Sequence, residues 1–232
     1  MKASNVARPN LFSVFNWADF EQYVLTTFEN ALRELRRQSS LPRPENRLNR
    51  ELYRRCLQCH KDLAGHANHF PMVIILDASN QPQPDDSAID DRLRMRPDFQ
   101  CILHNPLAEC AEQSQVFYII ECKRLGEPDR ADWIFNENYS RHGILRFREA
   151  SHAYAKGFAS AAMIGYLQSM QPNAVLNEVN KAAEVAGFPA ISRPEIWRSN
   201  DVTRLPPQEF GRSFPVEAFR LRHLWVDLRD SA

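Results

Sequence analysis

Two acidic residues and a lysine are of the types that phosphodiester chemistry requires. Pro97-Asp98 stands early in one predicted strand, and Glu121-Cys122-Lys123 closes the next. Side chains alternate across a strand, so Glu121 and Lys123 should point to the same face. The second strand is so apolar (VFYII) that it should be central in a sheet, beside the strand that carries Asp98. We therefore expect two carboxylates and one ammonium group to converge at one end of that sheet.

This combination of groups is suited to a metal ion. Two carboxylates a few ångströms apart repel each other unless a positive charge lies between them. Mg²⁺ supplies that charge, because it takes oxygen ligands and binds phosphate oxygens. A lysine beside the metal-bound water can orient that water or take its proton, and the metal neutralises charge that develops on the scissile phosphate. The pattern therefore predicts hydrolysis of a phosphodiester bond.

The pairing of Pro97-Asp98 with Glu121-Cys122-Lys123 resembles the signature of the PD-(D/E)XK nuclease superfamily, which has the restriction-endonuclease-like fold. The resemblance covers about residues 45–167, where a helix, three strands, a helix and a strand are predicted in the order of that family's core. It implies Asp98 and Glu121 as metal ligands, with Cys122 in the same metal set, and Lys123 as the catalytic lysine. It also implies Mg²⁺ as the cofactor, with Mn²⁺ as a substitute.

Many members of that superfamily add a glutamate from the helix before the first strand. Glu45 is the better candidate for this position, because it falls within about 20° of the centre of that helix's apolar stripe at 100° per residue. Glu51 lies about 100° away and should be solvated. An alternative is that Glu45 only favours the helix N-terminus electrostatically.

Arginines near these positions could hold a phosphate backbone. Arg94 and Arg96 lead directly into Asp98 and should alternate on one face of its strand. Arg141 and Arg146 follow the acidic motif, around the start of the next predicted helix. Arginine suits phosphate geometry, so these four are the predicted nucleic-acid contacts. A solvated charge run is the alternative.

The cysteines permit other interpretations. Cys56 to His60 spells C-x-x-C-H, the motif of covalent haem attachment, but both cysteines lie on an apolar helical stripe. Zinc held by Cys56, Cys59, His66 and His69 would need a shorter gap between ligand pairs than structural sites usually show. Core thiols explain these cysteines without a metal.

The elements that must position these groups predict an α/β fold, an αβα sandwich with a mixed sheet of four to five strands. The resemblance implies that this sandwich is restriction-endonuclease-like. Residues 1–232 are expected to form one domain, with the core at 45–167. A helical extension at 16–38 precedes that core, and a helix, a Pro-rich segment and a strand follow it over 173–229. The predicted helices cover 16–38, 45–63, 145–158 and 174–186, and the predicted strands cover 72–76, 95–103, 116–122, 161–167 and 219–228.

Composition sets limits on partners. The 29 basic and 29 acidic residues give zero net charge, which excludes a polybasic mode of binding but permits a local basic patch. No signal peptide or membrane span is predicted, and five cysteines without an export signal favour a reducing cytoplasm.

Two functions are compatible with these residues. The first is a Mg²⁺-dependent nuclease acting on nucleic acid, with DNA favoured over RNA. The resemblance implies that it is an effector subunit of a bacterial restriction or phage-defence system. A partner protein would supply its specificity or activation, and a homodimer would allow both strands to be cut. The alternative is a non-catalytic restriction-endonuclease-like scaffold that binds partners in a nucleoprotein assembly.

Overall fold

The structure is a computed structural model that describes residues 16–64, 69–80, 94–105, 108, 114–129, 133–214 and 216–229. Helices and strands alternate irregularly along the chain. In order they are α1 (Trp17–Arg36), α2 (Glu45–Leu63), β1 (Met72–Leu76), β2 (Phe99–His104), β3 (Gln115–Leu125), α3 (Phe135–Arg141), a 3₁₀ helix (Ile144–Phe147), β4 (Ser160–Leu167), α4 (Pro172–Val185), β5 (Val202–Gly211) and β6 (Ala218–Asp227). None of the described helices is long and apolar enough to cross a membrane.

One open mixed sheet contains all six of these strands, in the order β1-β2-β3-β4-β6-β5. The first three strands are antiparallel neighbours, β4 runs parallel to both β3 and β6, and β5 returns antiparallel to β6. The predicted α/β class is confirmed. The predicted count of four to five strands is wrong, because β5 lies within the segment interpreted as Pro-rich.

Pro206 and Pro207 explain how a strand can contain two consecutive prolines. Proline has no N–H to give to a sheet, so it is confined to edge strands and bulges. β5 pairs only with β6, and the register shifts between Leu205 and Gln208, at the two prolines. The break in the pairing of β5 with β6 therefore falls at the two residues that have no backbone N–H to donate.

Alternation along β3 divides the core into two clusters, one on each face of the sheet. Tyr118, Ile120 and Cys122 pack with the apolar sides of α1 and α2. Phe117 and Ile119 face the other way and pack with residues of α3, α4 and the 3₁₀ helix. Helices thus flank the sheet on both sides. The side chains predicted to form the site, Glu45, Asp98, Glu121 and Lys123, lie where α2, β2 and β3 meet.

The predicted helix at 145–158 is wrong. The chain forms α3 earlier, then the short 3₁₀ helix, and then turns in which Ala153 and Ala155 have positive φ angles of 42° and 55°. Arg212 stabilises these turns, because its guanidinium donates to the carbonyls of Tyr154, Ala155 and Phe158 at 3.3, 3.3 and 2.9 Å. In an α-helix these carbonyls would instead accept hydrogen bonds from backbone N–H groups four residues later.

Two strand boundaries also differ from the prediction. β2 begins at Phe99 rather than at residue 95, so Asp98 immediately precedes it. β3 continues to Leu125, so Glu121 and Lys123 lie inside the strand instead of closing it. The remaining helices and strands lie within about two residues of their predicted bounds, which is the usual uncertainty at an element's end.

Candidate active site

The central strand β3 holds Glu121 and Lys123 on one face. It pairs with β2 on one side and with β4 on the other, where Glu121 lies opposite Met163 and Lys123 opposite Gly165. Glu121 is only 1% exposed and Lys123 is also buried. The Lys123 ammonium donates to Glu121 Oε1 at 2.8 Å and to the Cys122 carbonyl at 2.7 Å. Glu121 and Lys123 therefore form a buried charged pair inside the strand.

Asp98 is fixed against the same strand by two hydrogen bonds. Its Oδ2 accepts from the Cys122 backbone N–H at 2.7 Å, and its Oδ1 accepts from the Asn49 side-chain amide at 2.8 Å. Because Cys122 lies between Glu121 and Lys123, this contact places Asp98 directly beside the acidic motif. The structure thus brings Asp98, Glu121 and Lys123 together.

Helix α2 adds Glu45 to this group. Glu45 Oε1 accepts from Lys123 Nζ at 3.1 Å, and Oε2 accepts from the Arg124 backbone N–H at 3.1 Å. Glu51, in contrast, pairs with Arg54 on the outer side of the helix at 2.9 Å. Glu45 is also the first residue of α2, and no side chain caps that terminus. Contact with Lys123 and an electrostatic effect on the helix N-terminus are therefore compatible.

Sequence analysis missed Asn49. It lies one helical turn after Glu45, is buried, and accepts a 2.8 Å hydrogen bond from the Tyr166 hydroxyl while it donates to Asp98. Residues four apart share a helical face, so a second polar residue on the apolar face of α2 was the available signal. Asn49 connects α2, β4 and the residue before β2.

Arg146, predicted as a contact for the nucleic-acid backbone, forms an ion pair with a carboxylate of the site. Its Nη1 is 2.6 Å from Glu121 Oε1, the same oxygen that accepts from Lys123, and its side chain is largely buried. The guanidinium also lies over the Tyr154 ring at 5.8 Å. Arg146 therefore belongs to the site as a counter-charge for Glu121.

The site contains more acidic than basic groups: Glu45, Asp98 and Glu121 surround Lys123 and Arg146. Burial raises the pKa of Asp98 well above its usual value, and the nearby negative charge of Glu121 raises it further. Burial alone would lower the pKa of Lys123, but Glu121, Glu45 and Asp98 outweigh it and the net shift is upward. Lys123 therefore stays protonated. The two positive charges of Lys123 and Arg146 do not balance the three carboxylates if all of them are ionised.

The other predicted contacts lie apart from the carboxylates. Arg94 and Arg96 are exposed and precede β2, so the prediction that they alternate on a strand face is wrong. Residues 95–98 lie outside the strand, although Asn80 N–H still donates to the Met95 carbonyl at 2.7 Å. Arg141 is exposed and pairs with Glu137 at 3.3 Å along α3.

The residues present suit a hard cation such as Mg²⁺. Glu121 Oε2 is buried and has no hydrogen-bond partner. The other oxygens that could ligate a metal are the carboxylates of Asp98 and Glu45 and the carbonyl of Cys122. The Cys122 thiol is buried with a raised pKa, chiefly because of burial, so its carbonyl is the more suitable ligand. Within the described ranges, no three His, Cys, Asp or Glu side chains are already arranged as a metal site.

The cysteines considered for zinc lie elsewhere. Cys56 is buried in the cluster beneath α1 and α2, and Cys59 packs against that cluster from its rim. Burial raises the pKa of the Cys56 thiol well above its usual value, which disfavours the thiolate that zinc requires. His66, a proposed zinc ligand, lies outside the described residues.

No protein-family model, no curated protein and no solved structure matches this chain. The residues of the site and their arrangement are therefore the basis for inferring a function. That arrangement can bind a divalent cation through buried oxygens and can place a charged lysine beside it. Arg94 and Arg96, which are exposed and precede Asp98 in the chain, are available to an anionic substrate.

Proposed function

We propose that this protein is a Mg²⁺-dependent nuclease of the PD-(D/E)XK type that hydrolyses phosphodiester bonds, in DNA rather than RNA. One observation carries the proposal: Asp98 and Glu121 meet beside Lys123 at the end of β2 and within β3. Residues that are distant in sequence thereby supply the two acids and the lysine that this chemistry needs. The order α2-β1-β2-β3-α3-β4 supports the same proposal.

The chain's own residues divide the work. Asp98 and Glu121 would hold the metal with the Cys122 carbonyl, and Glu45 would hold Lys123 in place or bind a metal-bound water. The bound Mg²⁺ would polarise the phosphate and lower the pKa of a water. Lys123 would orient that water through its ammonium hydrogens, since its raised pKa keeps it charged while the carboxylates surround it. Arg146, whose Nη1 lies 2.6 Å from Glu121 Oε1, would balance the charge of that carboxylate.

A wider biological role extends the proposal. With zero net charge, the chain has only local cation patches for nucleic acid, such as the exposed Arg94 and Arg96. We therefore expect a partner protein or a second copy of the chain to supply further contacts with the DNA. An effector subunit of a restriction or phage-defence system would have these properties.

Cleavage of plasmid DNA and of RNA with Mg²⁺, with Mn²⁺ and with EDTA tests the proposal. The wild-type protein should cut with either metal and not with EDTA, whereas Asp98→Ala and Glu121→Ala should be inactive. Glu184→Ala removes an exposed acid on α4 and serves as the matched control. Wild-type cleavage rates in either site variant would contradict the proposal.

A second candidate is the non-catalytic scaffold, and one observation favours it. Lys123 and Arg146 both contact Glu121 Oε1, so the buried carboxylate is neutralised without a metal. As a scaffold, the folded protein would cut no nucleic acid with any metal. Glu121→Ala would then lower the free energy of unfolding, because it leaves two cations without their carboxylate.

A further inference from the structure

Trp133 and His142 form an aromatic pair at the ends of α3. Their rings are stacked, with centroids 5.7 Å apart and planes 6° from parallel. Trp133 is 48% exposed and is the sole aromatic residue among the large apolar side chains exposed in the described part of the chain. His142 is exposed as well. The pair therefore presents flat aromatic surface to solvent.

This pair lies close to the candidate active site. Helix α3 packs against β3, the strand of Glu121 and Lys123. After His142 the chain passes through Gly143 into the 3₁₀ helix that carries Arg146, which contacts Glu121. Burial lowers the pKa of His142, as do the positive charges of Arg146, Lys123 and Arg141. The imidazole is therefore close enough to respond to the charges of the site.

A nucleobase is the ligand that such a surface fits. Every base has a π-face, and stacking on an exposed aromatic ring does not depend on sequence. The exposed Arg141, next to His142, supplies a cation for a neighbouring phosphate. A base paired within a duplex has its faces covered by its neighbours, so only an unpaired or frayed base could stack on this pair.

We propose that Trp133 and His142 form a stacking platform for an unpaired base next to the scissile phosphate. The preferred substrate is then nucleic acid with a single-stranded segment or frayed end beside the cut. This inference depends on the proposed nuclease function, because it places the platform relative to that site.

Binding measured in EDTA tests the platform without cleavage. Two DNA probes are compared by fluorescence anisotropy: a blunt duplex, and the same duplex with a single-stranded tail that carries 2-aminopurine. Trp133→Ala should weaken binding of the tailed probe by roughly five- to 150-fold and leave the blunt duplex within about twofold. It should also abolish quenching of the 2-aminopurine. Trp133→Phe should retain most of the binding, and Ile196→Ala, which removes an exposed apolar side chain far along the sequence, should match the wild type.

Single-turnover cleavage with Mg²⁺ separates the two proposals. If the wild type cuts DNA but Trp133→Ala binds and cuts the tailed probe at wild-type levels, the platform is overturned and the nuclease stands. Equal losses on the tailed and blunt probes would also overturn the platform. If the folded wild type neither binds nor cuts either probe, both proposals fail.

Discussion

Asn49 donates a 2.8 Å hydrogen bond to Asp98 Oδ1 and accepts one of the same length from the Tyr166 hydroxyl. This contact joins helix α2 to the residue that precedes β2. The second oxygen of Asp98 is held by the Cys122 backbone N–H. The position of the carboxylate therefore depends on a helix and on the central strand at once.

Replacement of Asn49 tests this dependence. Asn49→Leu should lower the free energy of unfolding by about 1–3 kcal/mol, because it leaves the Tyr166 hydroxyl and Asp98 Oδ1 without their partner. Urea denaturation measures the loss. The control is Asn46→Leu, which changes an exposed residue on the same helix and should cost little. Equal stabilities for the two variants would show that the bridge contributes nothing.

Lys123→Arg separates the lysine's charge from its geometry. The ammonium reaches Cys122 O, Glu121 Oε1 and Glu45 Oε1 at 2.7, 2.8 and 3.1 Å, and a planar guanidinium cannot converge on three acceptors in this way. The variant should bind metal and nucleic acid but lose about a hundredfold or more in single-turnover cleavage, because a guanidinium cannot hold the water in the position that the ammonium gives it. Cleavage within a few-fold of wild type would reduce the lysine to a counter-charge.

Gly165 tests how tightly the sheet packs beside the site. It pairs with Lys123 on one side and with Trp225 on the other. A Cβ at this position would come within 2.4 Å of Leu125 Cδ1 and 2.7 Å of Trp225 Cδ1. Gly165→Ala should therefore destabilise the fold by about 1–3 kcal/mol through overpacking.

Thermal unfolding measures that cost. Gly211→Ala is the control, since a Cβ there would have no atom within 4 Å. Unchanged melting temperatures for both variants would mean that Leu125 and Trp225 yield freely.

His223 makes stability depend on pH. Its ring is buried with Nε2 unpaired, and its Nδ1 lies 2.9 Å from the hydroxyl oxygen of Tyr139, which also accepts from Trp225 Nε1. Burial lowers the pKa of His223 from 6.5 to about 3. Between pH 6.5 and about pH 3, the His223 imidazole is therefore protonated in the unfolded chain but neutral in the folded chain. This contribution to stability is complete above pH 6.5 and is lost as the pH falls towards 3, by up to about 1.4 kcal/mol per pH unit.

His223→Asn keeps a polar group that can hydrogen-bond to Tyr139 but does not titrate. Urea denaturation between pH 4 and pH 7 should show a shallower loss of stability for this variant than for the wild type. Parallel curves would show that His223 is protonated in the folded protein.

The candidate site could be predicted in part because its residues belong to strongly patterned elements. Glu45 follows the apolar stripe of α2, and Glu121 and Lys123 follow the alternation of β3. The role of Arg146 could not be predicted, because its contact with Glu121 depends on a 3₁₀ helix that replaces the longer predicted helix. That replacement depends on Arg212, more than fifty residues later in the chain, which binds the carbonyls of the turns.

The proline pair in β5 has a consequence for association. An edge strand with free N–H groups can template another extended chain, which is a route to fibrils. Pro206 and Pro207 lack N–H groups and interrupt β5, one outer strand of the sheet, and the other outer strand, β1, has only five residues. A further strand is therefore hindered from pairing with β5 by its prolines, and it could pair with β1 over only a short length.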